Sequence, residues 1–155
     1  MKKYIIRYAF FVTLMCVLVS ATKESDPNPF GVTRIVRWRS ESAHDYVIKQ
    51  YQTNQNFILH AGEMLEGHGA TYEFDIPWCS RPHDVSLGHF IQLYAVNVPS
   101  VPIWYIWQND QGNDDKVRAG EKLSFPAARI NGYSDVNGDR HLIIKADGSI
   151  EMIKP

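Results

Sequence analysis

The chain has 155 residues, of which 45% are hydrophobic, 21% charged and 12% aromatic. This length fits one domain, and the apolar fraction excludes a chain that is disordered throughout. Sixteen Lys and Arg residues against seventeen Asp and Glu residues give a net charge of −1. The basic excess typical of a general nucleic-acid binder is missing, so no nucleic-acid partner is expected.

The start of the chain has the three parts of a secretory signal peptide. Lys2, Lys3 and Arg7 form a positive start, and residues 8–19 are an apolar run of twelve. Small or modest side chains then lead to a cleavage site expected after Ala21. An apolar run this short engages the translocation machinery but spans the hydrocarbon core poorly. The alternative is an uncleaved N-terminal anchor.

The predicted organisation is a signal peptide at residues 1–21, a polar linker at residues 22–31 and a β-sandwich domain at residues 32–155. Removal of the leader leaves thirteen basic and seventeen acidic side chains, a net charge of −4. It also leaves Cys79 as the one cysteine, which excludes an internal disulfide and favours a buried structural thiol. We expect a secreted or periplasmic protein with no stable transmembrane segment once the signal has been removed.

The mature chain is predicted to be all β. Short runs rich in Val, Ile, Tyr, Phe and Trp alternate with Gly, Asn, Asp and Pro, and no window longer than about ten residues shows a helical period. In the first run, strict alternation places Ile35 and Trp38 on opposite faces. Strands are predicted at residues 32–38, 45–51, 57–60, 70–76, 89–98, 103–107, 122–125 and 129–134. This pattern indicates a single antiparallel β-sandwich, with a barrel as the alternative.

The last part of the sequence predicts a C-terminal β-meander. Asn137-Gly138 and Asp147-Gly148 each lie between β-rich runs. Such pairs supply the positive φ angles of a type I′ turn at little cost. Residues 129–136, 139–145 and 149–153 are therefore expected to form three consecutive antiparallel strands.

Candidate metal ligands crowd together between two predicted strands. His60, Glu63, Glu66 and His68 fall within nine residues, and we take His60, Glu63 and His68 as the candidate metal site. The spacing is not that of a zinc-protease helix, so the ligands would have to converge in a loop. The alternative is a polar turn between strands. No motif predicts a cofactor.

Two further groupings keep a hydrolase open as an alternative function. Cys79 precedes His83 in a polar, kinked segment, as in a thiolate–imidazole pair. Glu73 and Asp75 share one face of a predicted strand, about 6.6 Å apart along it, which suits a pair of glycosidase carboxylates. Exposed strand positions commonly show the same spacing as the two carboxylates, and no third orienting group can be named beside Cys79, so neither grouping predicts an enzyme.

Aromatic side chains give the most informative functional pattern. Residues 101–108 are aromatic or aliphatic on both faces, so Trp104 points to one side while Tyr105 and Trp107 point to the other. Only one face of a sandwich strand enters the core, so a loop, a ligand or a partner has to cover the second. Trp78 is a further candidate for such a patch. Trp78, Trp104, Tyr105 and Trp107 are thus the predicted ligand-binding residues.

The function that these patterns favour is a secreted, non-catalytic binding module. Flat aromatic rings stack on sugar faces, so a glycan or another cell-surface ligand is the expected partner. A small secreted hydrolase, with or without the assistance of a metal ion, is one alternative. A membrane-active or host-directed effector that inserts aromatic side chains into lipid is the other.

Overall fold

A computed structural model of the protein describes residues 32–67, 71–111 and 114–155. The predicted signal peptide, the predicted linker and His68 lie outside the described residues. In the described ranges, no helix has the length and apolar character needed to cross a membrane.

The described residues form eleven strands and one short helix. They are β1 Thr33–Ser40, β2 Tyr46–Gln50, β3 Gln55–Leu59, β4 Met64–Glu66, β5 Phe74–Asp75, α1 Pro82–Ser86, β6 Ile91–Ala95, β7 Trp104–Asp110, β8 Asp115–Gly120, β9 Asn131–Gly132, β10 Gly138–Ile144 and β11 Ile150–Ile153.

The strands are arranged in two sheets that pack face to face. Sheet A has the order β4-β1-β10-β11-β9, with β5 also paired to β1, and sheet B has the order β3-β2-β6-β7-β8. Buried side chains of both sheets, such as Trp38 and Leu142 from sheet A and Ile48 and Leu93 from sheet B, form one hydrophobic core. The all-β sandwich is confirmed. The described strands close no barrel, so the barrel alternative is wrong.

Trp38 lies at the centre of this core because β1 contains a bulge. The pairing of β1 with β10 shifts register between Ile35 and Arg37, and the extra residue turns both Ile35 and Trp38 inward. The prediction that strict alternation separates these two side chains is therefore wrong. The indole of Trp38 packs edge-on against Phe57 and Phe74, with ring centroids 5.4 and 5.6 Å away.

A second, smaller cluster covers the other face of β7. It contains Cys79, Val85, Phe90 and Trp107, all buried, and it lies under the segment that carries α1. Ile106, the neighbour of Trp107 on β7, is buried in the main core. The strand is apolar on both faces because each face packs against a separate cluster.

The predicted C-terminal meander is correct only for its second hairpin. β10 and β11 pair antiparallel, and Gly148 between them has a positive φ of 81°. Asn137 and Gly138 also have positive φ, at 73° and 89°, but the chain does not fold back on itself there. Instead β10 pairs in parallel with β1, and β9 pairs in parallel with β11.

Contacts distant in sequence explain this difference. The segment that leads into β10 lies along β8, where the Ile130 amide donates to the Val117 carbonyl at 3.0 Å and the Val117 amide donates to the Ser134 carbonyl at 2.7 Å. The buried Arg140 guanidinium then donates to the carbonyls of Asp135 and Asn137, at 2.9 and 2.6 Å. These bonds keep the preceding segment from folding back onto β10. The positive φ angles at Asn137 and Gly138 are as predicted, but the strand with which β10 pairs is not.

One predicted strand is a loop, and two strands, β4 and β8, were not predicted. Residues 122–125 have no strand structure, while β8 precedes them. β8 carries the buried Arg118, whose guanidinium donates to the Asn109 side chain at 3.0 Å and to the Asp114 carboxylate at 3.2 Å. A buried, paired charge hides the apolar alternation by which a strand is recognised in sequence.

Gly132 is a position where only glycine fits the observed pairing. It has a φ of +81°, and a Cβ there would overlap the Met152 carbonyl oxygen across the β9–β11 pair. Gly62 has a similar φ of +70° but has open space around it.

We predict that Gly62→Ala lowers the free energy of unfolding by about 1–2 kcal/mol, which is the cost of an alanine in the left-handed conformation. Gly132→Ala should lower the free energy of unfolding by about 1–3 kcal/mol more than Gly62→Ala does, because its Cβ clashes with the Met152 carbonyl oxygen.

Urea denaturation of the two variants measures this difference. Equal losses of unfolding free energy at both positions would show that β9 and β11 do not pair this closely in solution.

Candidate functional site

An open groove lies at one end of the sandwich and has a volume of about 580 Å³. We call it the end groove. Its lining residues are Val32, Arg34, Gln50, Gln52, Thr53, Gln55, Glu73, Asp75, Ile76, Pro77, Trp78 and Gln108. They come from the start of β1, the β2–β3 turn, the chain after β4, and β7.

The base of the end groove is a crossing segment, residues 75–78, which passes from sheet A to sheet B. At its start, Asp75 pairs with Arg34 of β1. At its end, Trp78 forms a parallel bridge with Gln108 of β7. The backbone N–H of Gln108 donates to the Pro77 carbonyl at 2.9 Å. Each end of the segment is thereby hydrogen-bonded to a different sheet.

Two buried amide side chains fix the middle of the crossing segment. Gln108 donates through Nε2 to the Ile76 carbonyl at 2.8 Å, and its Oε1 accepts from the Thr33 hydroxyl at 2.7 Å. Gln50 donates through Nε2 to the Asp75 carbonyl at 2.7 Å, and its Oε1 accepts from the Thr53 hydroxyl at 2.9 Å. The base of the groove is therefore preorganised, because these bonds exist before any ligand arrives.

Charged and polar groups form one wall and the rim. Arg34 donates through Nε to an Asp75 carboxylate oxygen at 2.8 Å, and its Nη1 lies 3.8 Å from a Glu73 carboxylate oxygen. The pKa of Arg34 is raised above its ordinary value because of the hydrogen bond to Asp75 and the charge of that carboxylate. Gln52 and Gln55 are exposed on the opposite rim. Together these groups offer both donors and acceptors to a polar ligand.

Trp78 is the aromatic member of the end groove. Its side chain is half-buried and lines the same cavity as the Arg34–Asp75 pair. The next residue, Cys79, points into the second cluster. The crossing segment thus places a large apolar ring beside polar hydrogen-bonding groups.

The other three predicted ligand-binding aromatics lie elsewhere. Trp104 is half-buried against the main core, donates through Nε1 to the Gly148 carbonyl at 2.8 Å, and borders a shallower cavity of about 370 Å³. Tyr105 packs edge-on against Phe90 at 5.4 Å on the outer side of sheet B. Trp107 is fully buried in the second cluster. The structure therefore does not gather the four rings into one patch.

The described members of the predicted metal site form a turn. A Glu63 carboxylate oxygen accepts from the backbone amide of His60 at 2.7 Å, and His60 Nδ1 lies 3.2 Å from an Asp45 carboxylate oxygen. Glu66, on β4, pairs with Arg37. In residues 32–67, 71–111 and 114–155, no three His, Cys, Asp or Glu side chains are grouped so that they could hold a metal ion. The third predicted ligand, His68, is not among these residues.

Cys79 is a buried thiol. Its Sγ donates to the His89 carbonyl at 3.0 Å. Burial, with a smaller contribution from the Asp84 charge, raises the pKa of the thiol from its ordinary value of 9.0 to about 12. A nucleophilic cysteine needs the opposite shift, because the thiolate is the reactive form. His83 is placed on α1, where its ring lies 3.3 Å from the Ser86 hydroxyl.

Sequence reasoning missed Gln50 and Gln108, which line the end groove, and Thr33, which donates to Gln108. Their hydrogen bonds join residues 75, 25 and 32 positions apart in the chain. A single glutamine in a strand carries no sign in the sequence of such a distant partner. The two-residue spacing in the sequence does predict Glu73 and Asp75 as a pair, and both residues line the end groove.

Comparison of the chain with protein-family models, with curated proteins and with solved structures returned no match. The functional argument therefore depends on the geometry of the groove.

The Gln108 amide is the group on which the base of the groove depends. We predict that Gln108→Met, which keeps the length of the side chain, lowers the free energy of unfolding by about 1–3 kcal/mol because the buried Ile76 carbonyl loses its side-chain donor. The matched control is Gln52→Met on the exposed rim, which should change stability by no more than about 0.5 kcal/mol. Denaturant titration of both variants checks this, and equal effects would contradict the assigned role.

Burial of Cys79 also predicts how stability depends on alkaline pH. Between its ordinary pKa of 9.0 and the folded-state pKa of about 12, the thiol ionises in the unfolded chain but stays protonated in the folded one. The unfolded state binds fewer protons in this window, so stability is lost there as pH rises, by about 1.4 kcal/mol per pH unit from this group. The Cys79→Ala variant should lack this loss of stability with rising pH.

The measurement is the difference in free energy of unfolding between the natural chain and Cys79→Ala, from pH 8 to 11. A difference that does not change with pH would show that the thiol titrates normally in the folded protein.

Proposed function

We propose that this protein is an exported, non-catalytic binding module that holds an oligosaccharide in the end groove. The single observation behind this proposal is the placement of Trp78 in one cavity with the Arg34–Asp75 pair and the rim amides. The export expected from residues 1–21 would bring the groove to glycans and other cell-surface material.

The shape of the end groove supports a small polar ligand. Its volume of about 580 Å³ lies within the range of sites for small molecules, roughly 300–1,000 Å³. The groove is open to solvent, so a chain of linked units can extend out of it. An oligosaccharide meets both conditions.

The chemistry of the groove suits a sugar ring. Sugars have apolar faces, formed by their C–H groups, and a rim of hydroxyl groups. Trp78 supplies a flat apolar surface for the first, and Asp75, Gln52 and Gln55 supply hydrogen-bonding groups for the second. Saccharide recognition needs both kinds of group in one site, and all four residues line the end groove.

Preorganisation supports binding as well. The base of the groove is held by Gln50 and Gln108, whose amide groups are already hydrogen-bonded and buried. A ligand therefore does not have to order this part of the chain, which lowers the entropy cost of association.

Hydrolysis of the bound saccharide is the second candidate, because Glu73 and Asp75 both line the end groove. A glycosidase needs one carboxyl group to donate a proton and the other to attack or to activate water. Here both carboxylates face the same guanidinium, that of Arg34. This arrangement favours two acceptors rather than an acid and a base, so we place binding first.

The proposal predicts that Trp78→Ala weakens binding by at least about tenfold, since it removes the apolar platform. An array of neutral, amino-substituted and acidic oligosaccharides identifies the saccharides that are retained, and calorimetry measures their affinity. Product analysis of the same mixtures detects any hydrolysis.

The matched control is Tyr94→Ala, which removes another half-buried ring, from β6 of sheet B. It should leave affinity unchanged, and both variants should keep the native circular dichroism spectrum. Retention of no oligosaccharide, or equal loss with Tyr94→Ala, would overturn the proposal.

A further inference from the structure

The charges that line the end groove are unbalanced. Arg34 is the one cationic lining residue, while Glu73 and Asp75 are both carboxylates, and the other lining residues are uncharged. The described lining therefore has an excess of one negative charge. An anionic ligand would be repelled by this excess, and a cationic group would be attracted.

The existing contacts leave much of the acceptor capacity of the two carboxylates unused. The Arg34 guanidinium already donates to Asp75 at 2.8 Å and lies 3.8 Å from Glu73. A carboxylate accepts about four hydrogen bonds, and the Asp75 side chain is 56% exposed. The two carboxylates thus combine free acceptor capacity with the excess charge, so a ligand group with N–H donors and a positive charge fits them best.

Trp78 adds to this preference. The face of an indole ring attracts a cation because of its quadrupole, and tryptophan does so more strongly than the other aromatic residues. Trp78 lines the same cavity as the two carboxylates. An indole and two carboxylates that line one cavity are the groups to which an ammonium group is attracted.

We propose that the saccharide bound in the end groove carries free amino groups, so that its ammonium groups are held between Trp78 and the carboxylates of Glu73 and Asp75. This inference rests on the proposed saccharide-binding function and specifies its ligand class. An ammonium group brings three donors and one positive charge. Acetylation of the same nitrogen removes the charge and leaves one donor.

The test compares β-1,4-linked hexasaccharides of glucosamine, N-acetylglucosamine and glucose by calorimetry at low ionic strength. The glucosamine hexamer should bind about tenfold more tightly than the other two, from the combined ion-pair and cation–π contributions. Its advantage should shrink as salt is added, because screening weakens attraction between exposed charges.

Glu73→Gln is the diagnostic variant, since it removes the excess charge and leaves the Arg34–Asp75 pair in place. It should reduce the preference for the glucosamine hexamer over the glucose hexamer by about two- to fivefold, because one ion pair is lost while Asp75 and Trp78 remain. Glu121→Gln is the matched control, because it makes the same change in net charge at an exposed residue outside the end groove. It should keep the preference.

The outcomes separate this inference from the function beneath it. If the array yields saccharides whose binding depends on Trp78 but none of them gains from a free amino group, the inference is overturned and the saccharide-binding function stands. If Glu121→Gln reduces the preference as much as Glu73→Gln does, attraction to the whole protein explains it and the inference is likewise overturned. If no oligosaccharide binds, both fail.

Discussion

The hydrogen bonds from the buried amides of Gln50 and Gln108 to the crossing segment are the constraint on which the candidate site depends. The segment leaves sheet A at Asp75 and reaches sheet B at Trp78, so it spans the open end of the sandwich. Its carbonyls would be buried without side-chain partners if the two amides were absent, and buried polar groups without partners are costly. The amides hold the crossing segment in one conformation and thereby shape the base of the end groove.

This constraint also connects the groove to the second cluster. Trp78 lines the groove, and Cys79, the next residue, is buried beside Trp107 on the far side. Consecutive residues in extended chain point in opposite directions, so the backbone that presents one ring to a ligand also anchors itself in a packed apolar cluster. The second apolar face of β7 is consequently covered by the protein itself, and its aromatic richness reflects packing. The aromatic wall of the groove comes from a different part of the chain.

The charge pattern of the groove follows from strand pairing. Arg34 and Asp75 are cross-strand neighbours in β1 and β5, and such opposite-charge pairs stabilise a sheet modestly. Glu73, two residues earlier than Asp75, shares that side of the strand and faces the same guanidinium at the longer distance of 3.8 Å. One cation cannot neutralise two carboxylates, and the surplus charge is thereby presented to the cavity. A local structural contact has set the electrostatic character of the proposed site.

Sequence patterns by themselves determined the β class of the domain, the buried role of Cys79 and the positive φ angles at Asn137 and Gly138, because each depends on local chemistry or on side-chain alternation. They also marked Trp78 and the Glu73–Asp75 pair as candidates. Tertiary structure alone decided which strands pair and which aromatic residue shares a cavity with polar groups. It also decided the position of the bulge that turns Ile35 and Trp38 to the same side. The physical reason is that these features depend on hydrogen bonds and packing between residues far apart in the chain, such as Thr33 with Gln108, and no short stretch of sequence encodes both partners.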